Sequence, residues 1–502
     1  MAGFDPVETT VAEVHAAIAD GQTSAAALVD RYRARVAAYD DAANAVLTLN
    51  DGAPDRAREL DAAFARDGFV GPLHGVPVVV KDNHDTHDMP TTAGSTALAD
   101  SRPARDAAVV ERLREAGAVV LGKTNLQELS FGVDTVSSLG GATRNAYDRD
   151  RRPSGSSGGT AVAVAANLAL AGTGTDTCSS VRSPPAFNGC VGLRPTRGLV
   201  SRTGLVPLCS TQDTAGPITR TVADAARLLD AIAGYDPEDP VTARGVGRAP
   251  ADGYAAGLDD CGGDTLDGAR LGVVRAAFGL NDAASAAPAD AAAVTAVVED
   301  ALAELAAAGA TLVDPVDVVD RSRLEGARVV TDEFARDFDR YLAGLDDPPH
   351  DSLAAVHATG EVTPSVAERI EAAGVLDVDA DALATNPDYL RALRRREALR
   401  TRVLAALADE SLDALVYPPS TIPPVERPAH QPFVELNCAL AAHTGLPALV
   451  VPAGFTDEGL PVGVEFLGRA FAEARLLALG AAFERVGDHR RPPDGFGPLQ
   501  RG

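Results

Sequence analysis

The residues best suited to chemistry fall in one stretch, 151–197, and at one lysine upstream of it. Residues 154–160 read SGSSGGT, too rich in Gly and Ser for the interior of a helix or strand, and predict a tight, specially shaped loop. Residues 161–171 are almost wholly apolar and Ala-rich, which predicts a helix buried on all sides. Residues 172–182 return to small polar residues, GTGTDTCSSVR, and predict a second loop. Two hydroxyl-rich loops held by one buried helix can bring together a hydroxyl nucleophile and backbone N–H donors for an oxyanion. Two ordinary turns around a core helix have the same local composition.

The lysines sharpen the choice. Lys81 ends the apolar run 76–80, which suits a strand buried on both faces, and lysine is rarely buried without a partner. Only two of the 45 basic residues are lysines, Lys81 and Lys123; the other 43 are arginines. A buried lysine can lose its proton and act as a base, whereas arginine cannot. Retention of lysine at 81 therefore points to a titratable amine, with a structural ion pair as the alternative. Lys123, in VVLGKTN, admits the same argument.

The elements that must hold these residues follow from periodicity. Residues 6–39 predict two one-sided helices, with Thr23 as N-cap of the second. Residues 44–50 alternate like a short strand, and 56–66 suit a helix. A helix is predicted at 106–117, a strand at 118–121, and irregular chain at 125–150. Residues 220–233 form an amphipathic helix, 234–267 a surface connection rich in Pro, Gly and Asp, and 270–274 a strand. The pattern from 290 to 409 is mainly helical, and the acidic, Pro-punctuated part at 346–388 reads as an exposed insertion or cap. Strands at 412–417, 448–451 and 460–467 alternate with helices at 434–443 and 471–485. The result is an α/β chain with a helical insert between two sheet-forming parts and no internal repeat.

Composition excludes some functions. A formal net charge of −26 argues against sequence-independent binding of DNA or RNA, which needs clustered Lys and Arg. Abundant Asp, scarce Lys and many Ala match adaptation to high internal salt, where counterions screen self-repulsion; GC-rich codon usage favours the same residues. No signal peptide opens the chain, and no uncharged apolar run reaches the roughly 18 residues of a membrane span. The five cysteines, Cys178, Cys190, Cys209, Cys261 and Cys438, are odd in number and scattered, and make neither a disulfide framework nor a CxxC zinc site. A soluble, cytoplasmic, reducing setting is expected.

Three separated segments make the chain similar to the amidase signature hydrolases. They are GPLHGVPVVVKDN around Lys81, the run from SGSSGGT through TDTCSSVRSPPAF to GLRPTRG, and TGLPALVVPAGFTDEGLPVGVEFLG near the end. LGKTNLQELSFG and DTAGPITRTVADAARLLD fall between them in the same order, and the similarity is weakest at about 234–410. The resemblance implies a Ser–cisSer–Lys triad, with Ser180 as nucleophile, Ser156 as the bridging serine on a cis peptide and Lys81 as terminal base. It implies an oxyanion hole from the N–H groups of Thr177, Cys178, Ser179 and Ser180. It also implies a single α/β/α domain over 1–502 with a mixed central sheet covered by helices. Within it the chain divides into N-terminal helices (1–70), a catalytic core (71–233), a divergent, largely helical insert or cap (about 234–410) and the C-terminal part of the core (411–490). Gly155, Gly158 and Gly159, with Ser157, would give the first loop its freedom. No cofactor and no metal is implied.

The chemistry is coherent on these residues. A neutral lysine in a dry pocket takes the serine proton through a second hydroxyl, the N–H donors hold the oxyanion, and the proton then reaches the leaving amine. Two departures stand out. The family's Gly-Gly before the nucleophile is Cys178-Ser179 here, and Ser154 replaces the first Gly of GGSSGG. Cys178 as nucleophile is set aside because its register against VRSPPAF puts it in the oxyanion hole; it reads as a small packing residue. His84 and His87, with Asp85 or Asp88, invite a metal, but no third set of ligands is evident, so an exposed loop is expected. SGSSGG is not followed by GK[ST], and no GxGxxG occurs. Tyr417, Asn437 and His443 are expected to pack in the core. The preferred function is a stand-alone amidase that releases ammonia or an amine from a small-molecule carboxylic amide. The alternative is the glutaminase subunit of a tRNA-dependent amidotransferase, for which no acidic and arginine clamp can be placed in the sequence. A non-catalytic binding homologue is a third reading, opposed by the complete Lys–Ser–Ser set. Direct binding of nucleic acid or membrane is not expected, and a homodimer is admitted.

Overall fold

Helix α1 (Val11–Ala19) starts at a Thr10 capping box, and α2 (Ala25–Ala43) at Ser24, whose hydroxyl accepts from the Ala27 N–H. Ser24 therefore takes the N-cap place expected of Thr23. The computed structural model describes residues 4–258, 263–280, 286–324, 326–487 and 489–499. The chain continues through β1 (Val46–Leu49), α3 (Ala53–Asp67), β2 (Pro77–Lys81), α4 (Ala108–Glu115) and β3 (Val119–Thr124). Two-residue strands β4 (Val136–Ser137) and β5 (Gly141–Ala142) form a separate hairpin. Then come α5 (Gly158–Ala165), β6 (Ala171–Asp176), α6 (Ser183–Phe187), β7 (Val191–Arg194), β8 (Thr214–Thr219) and α7 (Val222–Ile232). β9 (Arg270–Val273), α8 (Pro288–Ala307) and β10 (Thr311–Val313) precede the helices α9 (Arg321–Leu324), α10 (Val330–Ala343), α11 (Leu353–Ala358), α12 (Pro364–Ala372) and α13 (Pro387–Asp409). The chain ends with β11 (Ala414–Tyr417), α14 (Glu435–Thr444), β12 (Ala448–Phe455), β13 (Pro461–Leu467) and α15 (Glu473–Val486).

Eleven strands form one mixed sheet in the order β1-β3-β2-β6-β8-β7-β12-β13-β11-β9-β10. β2 runs parallel to both β3 and β6, while β6–β8, β8–β7 and β7–β12 are antiparallel. Every residue of β2, β3, β6, β7, β8, β11 and β13 is buried. A sheet buried on both faces is the arrangement expected of a layered α/β fold. No helix among the described residues is long and apolar enough to cross a membrane.

Several elements differ from the sequence expectation. The helix placed at 161–171 starts earlier and ends at Ala165, and GTGTD, expected as loop, is the sheet-centre strand β6. Its small residues are there for close approach. A Cβ on Gly172 would sit 2.6 Å from Thr160 Cγ2 and 2.9 Å from Val79 O, and one on Gly174 would sit 2.5 Å from Ser157 Oγ. β3 continues past Leu121, which puts Lys123 inside the strand. The 346–388 part is acidic, yet Leu353, Val356, Val366 and Ile370 are buried in one cluster with Phe334, Phe338, Phe131 and Leu208. Its acidic residues are exposed, as expected, while these apolar side chains close a second hydrophobic cluster beneath them.

Candidate active site

Strand register brings the first pair of site residues together. Val80 of β2 lies opposite Thr173 of the parallel β6, so Lys81 and Thr175 emerge at the same edge of the sheet. Lys81 Nζ lies 2.7 Å from Ser156 Oγ and 2.7 Å from Thr175 Oγ1, and Asn83 Nδ2 donates to the same threonine oxygen at 3.0 Å. Lys81 is fully buried, and among the described residues it forms no ion pair. Burial dominates its titration and brings it down from 10.5 to about 7, against the pull of Asp213 and Asp176. Lys123 is equally buried but sits 3.1 Å from Asp82 Oδ1 and donates to Pro90 O and Thr91 Oγ1. The two lysines thus occupy opposite electrostatic situations, which the sequence left open.

Ser156 is presented by the 154–157 turn at the N-terminus of α5, and the Gly155–Ser156 peptide bond is cis. Gly155, Gly158 and Gly159 were expected to give this loop freedom, but none has a positive φ. Their role is contact. A Cβ on Gly155 would sit 2.9 Å from the Val133 backbone, one on Gly158 would strike Thr135 Oγ1, and one on Gly159 the Asn125 backbone. The left-handed residue is Ser154, at φ 64°, where the family pattern has glycine.

The loop 177–180 follows β6 and is held at both ends by charge. Asp176, buried completely, accepts from the Val181 N–H at 3.1 Å and pairs with Arg182 at 3.2 Å and Arg194 at 2.6 Å. Burial acts to raise its pKa, but the two guanidiniums outweigh it and hold the carboxyl below its usual range. Arg182 reaches on to Glu465 of β13, which also accepts from the Tyr417 hydroxyl. Thr177 is fixed by its hydroxyl to Asp213 Oδ1 at 2.6 Å and by its carbonyl to Gln212 Nε2 at 2.7 Å. Burial raises Asp213 to about 6.

Cys178 is neither a nucleophile nor a simple packing residue. It forms a disulfide with Cys438 of α14, with Cα atoms 5.0 Å apart, so the expectation of no disulfide is wrong for this pair. The two cysteines are separated by 260 residues, and no spacing rule joins them. Cys190 and Cys209 are buried free thiols, and Cys261 lies outside the described residues. No acceptor among the described residues engages the N–H groups of Cys178, Ser179 and Ser180. Ser180 makes no side-chain hydrogen bond among the described residues, so the Lys81–Ser156 contact is formed and a Ser156–Ser180 contact is not.

A cavity of about 360 Å³ opens on Thr177, Cys178, Ser179 and Ser180. Across from them it is lined by Arg328, Arg369, Glu435 and His443. Arg369 lies over the Phe131 ring and donates to Phe131 O at 3.2 Å, and Arg328 lies over Phe433. These residues were not grouped from sequence, because they come from the turn before α10, from α12 and from α14. Tyr417, Asn437 and His443 are all buried, as expected, and His443 also borders the cavity. Glu465, Asp176 and Arg182 were also missed, although a lone acid in the apolar run of β13 was a readable sign of a buried partner. The two loop histidines separate. His84 is buried against the Lys81 carbonyl, while His87, Asp88 and Asp106 cluster at the surface with Arg114 paired to both carboxylates.

Comparison with known proteins first defines the class. The crystal structure of a peptide amidase from Stenotrophomonas maltophilia is similar at 39% identity and TM-score 0.86, over 97% of this chain and 98% of that one. The crystal structure of a glutamyl-tRNA(Gln) amidotransferase subunit from Thermotoga maritima is similar at 28% identity and TM-score 0.72, over 97% and 96%. The corresponding glutamyl-tRNA(Gln) amidotransferase subunit of Moorella thermoacetica is 37% identical over 489 residues, 94% of this chain and 95% of its own. The protein is an enzyme acting on amide C–N bonds. The Amidase family model matches residues 27–477, and the chain belongs to the amidase signature family.

Proposed function

We propose that the protein hydrolyses a carboxamide through an acyl-serine intermediate, with Ser180 as nucleophile, Ser156 as relay and Lys81 as base. The observation that carries this reading is the Lys81–Ser156 contact of 2.7 Å, made by a fully buried lysine with no carboxylate partner among the described residues. A neutral amine there accepts the Ser156 proton as Ser156 accepts that of Ser180, and Ser180 Oγ attacks the amide carbon. The Ser156–Ser180 bond forms as substrate fills the cavity, since catalytic hydrogen bonds often tighten only in the complex. The oxyanion settles on the N–H groups of the 177–180 loop. Lys81 returns the proton through the relay to the leaving nitrogen, and water then takes the serine's place in a second, similar attack.

Charges of both signs around the cavity suit a carboxamide that itself carries an amino or carboxylate group, as amino-acid and peptide amides do. The same charges favour a second reading, a glutaminase that supplies ammonia to a partner protein, because glutamine carries both groups. Ammonia release measured in concentrated salt from aliphatic amides, amino-acid amides, a C-terminally amidated peptide and glutamine tests both. Turnover of amidated substrates well above that of glutamine is expected, and Ser180→Ala should abolish it. Full activity in Ser180→Ala removes the assignment, and turnover confined to glutamine selects the second reading. We also take the chain as one functional domain, with the 234–410 part supplying the cavity wall.

A further inference from the structure

Gln212 links the helical insert to the 177–180 loop. Its Nε2 donates to the Thr177 carbonyl at 2.7 Å, and its Oε1 accepts from Arg396 of α13. That orientation of the amide is the only one that satisfies both neighbours, since a guanidinium only donates and a carbonyl only accepts. The turn carrying Gln212 is itself gripped by the insert. Glu333 of α10 accepts from the Thr211 N–H at 3.0 Å and the Thr211 hydroxyl at 2.9 Å, and Arg396 donates to Thr211 Oγ1 at 2.9 Å and to Ala327 O at 2.8 Å. Gln212, Glu333 and Arg396 are all buried.

The consequence for chemistry comes from peptide geometry. The Thr177–Cys178 bond is not among the cis bonds of the chain, so its carbonyl and N–H point in opposite directions within one plane. Holding the Thr177 carbonyl on Gln212 therefore aims the Cys178 N–H away from Gln212. We propose that Gln212 is a positioning residue for the enzyme's reaction: it sets the Thr177–Cys178 peptide plane so that the Cys178 N–H faces the oxyanion formed at Ser180. The inference rests on the assignment of Ser180 as nucleophile. It assigns the insert a role in the acylation step as well as in the cavity wall, through α13, Arg396 and Gln212.

The test uses the full chain and an alkyl fluorophosphonate, whose attack by a serine hydroxyl depends on the same N–H donors. Gln212→Glu keeps shape and the Arg396 contact but turns a lone pair toward the Thr177 carbonyl; Gln212→Met removes the donor without adding charge. The expected result is a loss of about 10- to 100-fold in the second-order labelling rate constant for both variants, larger for Glu, with the labelled fraction unchanged. On the amide that wild type turns over best, kcat should fall by a similar factor while KM stays within about threefold. Labelling rate constants within twofold of wild type in Gln212→Met overturn the inference. So does a reduced labelled fraction at an unchanged rate constant, which marks a folding role only. Wild-type protein that is not labelled, or is labelled away from Ser180, overturns the nucleophile assignment and this inference with it.

Discussion

Replacing Lys81 by arginine keeps the charge and removes the possibility of losing it, which isolates the property the site depends on. The shift from 10.5 to about 7 amounts to roughly 5 kcal/mol against the ammonium form. The free enzyme then needs the neutral amine, so kcat/KM should rise with pH and level off above an apparent pKa of about 7, falling to about 1% of the plateau at pH 5. Lys81→Arg should have no plateau at all and lose about 1,000-fold or more, as much as Lys81→Ala. Stability gives an independent readout. The folded pKa is depressed, so between about 7 and 10.5 the unfolded chain binds more protons, and this group's contribution to stability improves as pH rises through that window. Its cost is greatest below pH 7. Lys81→Met should therefore raise the denaturation midpoint, most at pH 6 and least near pH 10. Asp213, held up to about 6 by burial, titrates close by and pulls the Lys81 pKa up, so Asp213→Asn should keep a single rising limb and move it to lower pH. Ammonia release followed from pH 5 to 9, with denaturant melts at pH 6 and 10, measures all of this. A flat pH profile, or Lys81→Arg retaining more than a tenth of wild-type activity, refutes the reasoning.

The Cys178–Cys438 disulfide should be found by peptide mapping without reduction, and a small thiol reductant should lower stability by roughly 2–4 kcal/mol along with kcat, because the bond ties the nucleophile loop to α14. Mapping that finds both cysteines free in unreduced protein would contradict this. Gly174→Ala should cost roughly 1–3 kcal/mol, since its Cβ would lie 2.5 Å from Ser157 Oγ; an unchanged urea midpoint would show that the packing there has room. Arg369→Gln should raise KM about 10- to 100-fold for an anionic substrate with kcat within about threefold, read by comparing an anionic with an uncharged amide; equal effects on both would rule out a binding role.

Sequence reasoning reached the fold wherever one local signal sufficed. The apolar run at β2, the amphipathic α7 behind its Thr221 cap, and the alternation of α14, β12 and β13 all lie where periodicity places them. It failed where tertiary packing overrode composition. GTGTD has the makeup of a loop, but its glycines let β6 lie against α5 and β2, a reason that exists only once those neighbours are in place. Arg328, Arg369 and Glu435 share a cavity without sharing a sequence neighbourhood, and Cys178 and Cys438 meet across the same gap. The charged network behind the 177–180 loop lies between these cases. Glu465 stands alone in an apolar strand and so announces a buried partner, but nothing in the sequence says that the partner is Arg182.

The two lysines show what the missing information was. Both are buried, both end or nearly end a strand, and both survive in a chain that uses arginine almost everywhere else. β2 and β3 are parallel neighbours with Val80 opposite Lys123 and Lys81 opposite Thr124, so the two lysines are one step out of register. Side chains alternate between the faces of a sheet, and that single step sends them to opposite sides. On one side Lys123 meets the carboxylate of Asp82 at 3.1 Å. On the other, Lys81 meets Ser156 and Thr175, which stabilise an amine without supplying a countercharge. A residue's type says which chemistry is open to it; here the register between two strands decides which lysine can use it.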